Sequence, residues 1–166
     1  MKKIVLSTLA LALSFGIYAQ TIVEAAVSNE DFSTLVTALK AADLVGALSG
    51  EGPFTVFAPN NTAFSKIDSE TLGSLLQPEN VKALSNILTY HVVSGKLMAS
   101  DVVKALEMGD GKAEVTALNG QVLTVMSSYG KIYLKDMKGN MSEIIATDVE
   151  GSNGVIHVIS SVVMPN

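Results

Sequence analysis

The chain has 166 residues, 48% of them hydrophobic and 16% charged, with no cysteine and a formal net charge of −5. That is enough for one domain with a sizeable core, which must hold without disulfides. Eleven lysines, with no arginine, face sixteen carboxylates, which excludes the clustered positive charge that nucleic-acid binding needs and disfavours adsorption to anionic lipid.

Lys2 and Lys3 precede an apolar run from Ile4 to Tyr18, which ends at Ala19-Gln20. A basic start, a short apolar centre and a small terminal residue predict a secretory signal over residues 1–19. The run is shorter than the ~20 residues a membrane span needs, and its brevity suits bacterial export. Cleavage after Ala19 leaves nine lysines against sixteen Asp plus Glu, a net of −7. The expected product is periplasmic, secreted or cell-surface associated, with no integral membrane span.

Thr21 can cap a short helix from Ile22 to Val27, and Ser28 or Asn29 a longer one. Phe32, Leu35, Val36 and Leu39 have the i, i+3, i+4, i+7 spacing of a buried helical stripe. Leu44, Val45 and Leu48 extend the apolar contacts until Ser49-Gly50-Glu51-Gly52 breaks the run. Phe54-Thr55-Val56-Phe57-Ala58 then reads as a buried strand. Pro59 ends its pairing, and Asn60 and Asn61 turn the chain into a short helix with Phe64 aimed at the core.

Ser69 to Leu76 predicts another short helix. Pro78 suits the first turn of a further one running to about Thr89, with Val81, Leu84, Ile87 and Leu88 inward. Tyr90-His91-Val92-Val93 passes into β-formers, and Ser94-Gly95 turns. Ser100 is the expected cap of a helix over Asp101–Glu107. After Gly109 the pattern changes to strands. Asn119-Gly120 is a two-residue hairpin signal between Glu114–Leu118 and Gln121–Val125. Strands are also expected at Ile132–Leu134, Ile144–Val149 and Val155–Pro165. Both alternating sets of the last strand are apolar, so it should be covered on both faces and pair with the much earlier Phe54 strand. No internal repeat or linker interrupts this α+β order.

Three stretches in this order resemble the fasciclin (FAS1) domain family. Thr55-Val56-Phe57-Ala58-Pro59-Asn60-Asn61-Thr62-Ala63-Phe64 resembles its first conserved box, and Leu88 to Lys96 its central Tyr-His segment. Asn153-Gly154-Val155-Ile156-His157-Val158-Ile159 through Pro165 resembles the second box. The likeness covers essentially all of residues 20–166. Thr62 stands where the family usually has an acidic residue, Ser160 where Asp is common, and Ser94 where Pro is common. The resemblance implies a fasciclin-like β-wedge of two small sheets and about seven strands, with helices packed along it. It also implies a secreted or cell-surface role in adhesion or matrix association, with an extracellular protein or polysaccharide as partner.

Tyr90 and His91 are the candidate interaction residues, because in animal relatives the Tyr-His region is tied to integrin binding. A bacterial protein has no animal integrin as natural partner, so that role does not carry over. At a helix-to-strand junction among Leu88, Val92 and Val93, both side chains read first as satisfied interior groups. His157 lies on an apolar strand, and with His91 it falls short of the three or four ligands of a zinc site. There is no Cys, no Gly-x-Ser-x-Gly elbow and no phosphate-binding glycine loop. No catalytic, metal or cofactor-binding residue is assigned. Asn60-Asn61-Thr62 and Asn140-Met141-Ser142 fit the N-glycosylation pattern and read as chance matches. Asp110-Gly111-Lys112, Ser127-Ser128-Tyr129 and Lys135 to Asn140 are exposed stretches able to present contacts. The alternative to an interaction module is a carrier of an apolar lipid or pigment, its groove lined by some of the seven methionines.

Overall fold

The structure is a computed structural model that describes residues 19–166; the expected secretory segment lies, apart from Ala19, outside them. Thr21 opens α1 (Ile22–Val27) with a reciprocal box. Its hydroxyl accepts from the Glu24 amide at 3.2 Å, and the Glu24 carboxylate accepts from the Thr21 amide at 2.7 Å. Asn29 caps a 3₁₀ turn at Glu30–Phe32 that feeds α2 (Ser33–Ala41), and the expected Phe32, Leu35, Val36, Leu39 stripe is buried. α3 (Val45–Leu48) precedes β1 (Phe54–Pro59). Asn60 accepts from the Ala63 amide at 2.8 Å to start α4 (Asn61–Phe64). Asn61 then ties that corner to α2, accepting from the Thr34 amide at 3.0 Å and donating to the Glu30 carbonyl at 2.9 Å.

α5 (Ser69–Leu75), a 3₁₀ turn at Pro78–Asn80 and α6 (Val81–Tyr90) lead to the short β2 (Val92–Ser94). α7 spans Ala99–Met108. Its start corrects the sequence expectation: Ser100 is not the cap. The Asp101 carboxylate takes the Met98 amide at 3.1 Å, and Asp148, distant in sequence, takes the Ala99 amide at 2.8 Å. β3 (Lys112–Thr116), β4 (Val122–Ser128), β5 (Lys131–Lys135), β6 (Met141–Gly151) and β7 (Gly154–Ile159) complete the chain. The last strand thus stops at Ile159, short of Pro165.

The strands follow the order β2-β1-β7-β6-β5-β4-β3. β1 and β7 pair in parallel from Phe54↔Gly154 to Pro59↔Ile159, and the other neighbours are antiparallel. β6 joins two halves. Residues 141–143 pair with β5, residues 144–151 pair with β7, and register shifts between Ile144 and Val149 bend the strand. A bridge between Val93 and Ala117 brings the outer edges together, so the sheet nearly closes.

That curvature explains the double-sided burial of β1 and β7. Val56, Ala58 and Ile156 face the helical layer and pack with Ile22, Leu35, Leu39, Leu84 and Leu88. Phe57 and Ile159 face the wedge interior, with Tyr90, Leu123, Val125, Leu134 and the α7 residues Val102 and Leu106. One strand pair therefore serves two cores, which removes the polar alternation an exposed face would impose.

Beyond Ile159 the chain bends at Ser160 and Ser161. The Ser160 amide still donates to the Glu143 carbonyl at 2.9 Å, and from there side chains hold the tail. The Ser160 hydroxyl accepts from the Glu143 amide at 3.1 Å, and the Ser142 hydroxyl donates to the Ser161 carbonyl at 2.8 Å. The Asp136 carboxylate accepts from the Met164 amide at 3.1 Å, while its oxygens also hold Asn140 across the β5–β6 turn. The apolar residues Val163 and Pro165 are buried, as a strand would require, but their hydrogen bonds go elsewhere.

Candidate functional site

The Tyr90-His91 pair sits where α6 ends against β1. Tyr90 is the last residue of the helix and His91 its cap; the His91 carbonyl accepts from the Phe57 amide at 2.8 Å. Tyr90 is fully buried, and its hydroxyl donates to the Val122 carbonyl at 3.0 Å. It therefore ties the helical end to β4. Burial raises the phenol above its ordinary value, the Met137 backbone opposes this, and the Asp136 carboxylate adds to it.

His91 is buried as well, and both ring nitrogens have main-chain partners. Nδ1 lies 2.8 Å from the Ile87 carbonyl, and Nε2 accepts from the Val163 amide at 3.2 Å. This pairing assigns the proton to Nδ1 and a neutral ring. Burial lowers the pKa to about 4, with the Ile87 carbonyl pulling the other way. A second proton on Nε2 would remove the acceptor that holds the C-terminal tail.

A stability signature follows. Unfolded His91 takes up a proton near pH 6.5, whereas in the folded chain it does so only near pH 4. The unfolded state binds more protons in that window, so stability rises with pH across it. The contribution is fully present above pH 6.5 and is lost as pH falls towards 4. Its size is about 3 kcal/mol. Urea midpoints measured from pH 7.5 to 4 are expected to fall more steeply for the wild type than for His91→Gln. Equal slopes would show that His91 is not buried neutral.

His157 makes the matching tie on β7. Its ring stacks on Phe57 with centroids 5.7 Å apart. Nε2 donates to the Leu97 carbonyl at 2.6 Å, and Nδ1 accepts from the Asp148 amide at 3.4 Å. The two histidines thus bind separate pieces of backbone to the wedge. Among the described residues no three His, Asp or Glu side chains are grouped to hold a metal ion.

Three polar residues that sequence reading did not single out share this work. Thr55, fully buried, donates to the Gly95 carbonyl at 2.6 Å and accepts from the Leu97 amide at 2.9 Å. Asn153 accepts from the Ile22 amide at 2.9 Å and donates to the Leu48 and Gly50 carbonyls at 2.8 and 2.9 Å. Asp136 holds Asn140 and Met164. Local sequence does not reveal partners 40 positions from Thr55, 28 from Asp136 or more than a hundred from Asn153.

Among the described residues no methionine lines the apolar gap beneath α1. Met108, Met137 and Met141 are exposed at separate places. The apolar gap beneath α1, lined by residues including Ile22, Leu35, Leu39 and Ile156, has about 10 Å³, room for no more than one water. The larger openings are shallow surface clefts, among them one of about 630 Å³ among Thr21, Glu51, Lys96 and Asn153 and one of about 450 Å³ between α7 and the β4–β5 turn. The outer surface of the strands is open as well, with the turns at Asp110-Gly111, Tyr129-Gly130 and Lys138-Gly139.

The family model for the Fasciclin domain matches residues 30–165. Protein sll1483 of Synechocystis sp. is 52% identical over 147 residues, covering 89% of this chain and 74% of that protein. The cell surface glycolipoprotein MPB83 of Mycobacterium bovis is 33% identical over 155 residues, 90% of this chain and 63% of that protein. A solved FAS1 domain pair from the insect cell adhesion molecule fasciclin I superposes with a TM-score of 0.75 at 19% identity. That match takes in 86% of this chain and 50% of the pair.

Proposed function

The chain belongs to the fasciclin domain family, and from that premise we propose that it is an exported, non-enzymatic interaction module for adhesion or matrix association. Residues 1–19 are the removed signal and residues 20–166 the working domain. The observation that carries the reading is the likeness, along nearly the whole chain, to a cell-surface glycolipoprotein. The interior chemistry agrees with it. Tyr90, His91, His157, Asp136 and Asn153 all spend their polar atoms on the domain's own backbone. We therefore read Tyr90 and His91 as an internal strut. Contacts with a partner fall instead to exposed strands and turns. Among the described residues no helix is long and apolar enough to cross a membrane.

Crosslinking and pull-down from the native envelope and medium should return an extracellular protein or polysaccharide, bound to a species whose mass begins at Gln20. Deleting the gene, or adding the pure protein, should change attachment to cells or surfaces. Unchanged attachment across such assays would sink the adhesion reading. A lipid or pigment co-purifying in stoichiometric amount would favour carriage instead.

A further inference from the structure

The exposed stretches at Asp110–Lys112, Ser127–Tyr129 and Lys135–Asn140 all belong to the half-sheet formed by β3, β4, β5 and the start of β6. The Gly111 carbonyl accepts from the Ser127 amide at 3.0 Å, which joins the first two directly. We propose that the outward face of this half-sheet binds an acidic polysaccharide, its lysines taking the anionic groups and its tyrosines the sugar rings. This assigns a surface and a partner class to the adhesion reading, and rests on it.

The pleat decides which residues face out. Leu123, Val125 and Leu134 point into the wedge beneath Val102 and Leu106 of α7. The alternate set therefore faces solvent. Lys112 lies opposite Met126, Met126 opposite Tyr133, and Tyr133 opposite Glu143. Along β5 the outward residues are Lys131, Tyr133 and Lys135, which continue the line from Tyr129 at the hairpin tip. Alternate residues on a strand lie ~6.7 Å apart. The strip thus alternates aromatic and cationic groups along an open strand face, which suits an extended chain of rings and charges better than a compact ligand.

Tyr129 supplies a second observation. It occupies the first place of a two-residue hairpin turn, with φ +50° and Gly130 at +76°. That place favours Asn, Asp or Gly, and a bulky side chain there is strained. The ring is also wholly exposed, so no packing offsets the strain. A tyrosine joins an apolar face to a hydroxyl, and a sugar ring does the same.

Charge selects the acidic class. Residues 112–143 carry four lysines against Glu114, Asp136 and Glu143, and Asp136 is buried. Residues 20–111 carry five lysines against eleven carboxylates, and residues 144–166 two carboxylates and no lysine. Only this half-sheet is positive. Glu143 holds Lys131 at 2.9 Å, whereas Lys112, Lys135 and Lys138 form no ion pair among the described residues. Those three unpaired cations fall short of the 4–8 that an anionic membrane calls for.

The test is affinity of the secreted protein for a soluble polyuronate, compared with neutral dextran, anionic phospholipid vesicles and single-stranded DNA, at low and high salt. Polyuronate should bind best and weaken with salt. Tyr129→Asn should keep or raise thermal stability, since Asn accepts the left-handed turn, yet lose affinity roughly fivefold or more. Lys135→Gln should lose a similar factor without unfolding. No polyuronate binding, equal binding to dextran, a preference for vesicles or DNA, or unchanged affinity in both folded variants would each overturn the assignment. If attachment in the native assay persists while polyuronate is ignored, this surface falls and the adhesion reading stands. If attachment is also unaffected by the protein, both fall.

Discussion

Gly154→Ala is expected to destabilise the domain by about 3–5 kcal/mol, at or above the upper end for overpacking a core. Gly154 begins β7 directly opposite Phe54 in the parallel pairing, and a methyl group there would lie on the Phe54 carbonyl. The obstacle is main chain, which cannot swing aside as a flexible side chain can. Moving it would also disturb the Asn153 carbonyl, which accepts from the Phe54 amide at 3.0 Å, and Asn153's own ties to α1 and α3. Thermal unfolding should show a fall in Tm of roughly 10 °C or more. Gly73 is the control. It lies within α5 with no atom near its missing Cβ, so Gly73→Ala should gain about 0.5–1 kcal/mol from helix propensity. Two losses of the same sign and size would contradict the close approach.

Phe57→Ala should cost about 3–5 kcal/mol, as truncation of a buried aromatic does. Phe57 is fully buried and packs in the wedge core. It is also the surface on which His157 stacks, so its loss leaves a cavity beside an imidazole whose nitrogens are committed to Leu97 and Asp148. Chemical denaturation measures the change; a loss below about 1 kcal/mol would misplace the residue. Phe64→Ala, on the helical side of the same corner, should fall in a similar range. The two cores meet along β1 and β7, so either cavity weakens the shared strand pair.

Local physics made much of the architecture legible. Thr21, the Phe32–Leu39 stripe, the Pro59 stop and the apolar final strand each declare themselves within a few residues. Each depends on backbone restriction or periodicity that acts at short range. The hairpin at Asn119-Gly120 forms too, but its connection runs from Ala117 to Gln121 and is not the two-residue turn expected, since Gly120 has positive φ and Asn119 does not. The other errors arise at long range. The cap of α7 comes from Asp148, 49 positions after the amide it holds, so a nearby serine looked like the better candidate. The last strand stops at Ile159 because its continuation is taken up by Ser142, His91 and Asp136. Apolar alternation cannot distinguish a ladder from a bent tail held by side chains.

The candidate site divides in the same way. Tyr90 and His91 stood out as unusual residues in an apolar setting, which is a property of composition along the chain. Whether their polar atoms meet a partner or the domain's own backbone depends on Val122, Ile87 and Val163 coming to them. By itself the sequence determined the family, the α+β order, the acidic balance and the sharp corner at Pro59, because propensity, patterning and charge are written residue by residue. Only the tertiary structure decided that both histidines hydrogen-bond the domain's own backbone, that β1 and β7 serve two cores, and that four lysines share one half-sheet. Those outcomes depend on which distant segments the bend in β6 brings together, and a hydrogen bond or a charged face exists only once they meet.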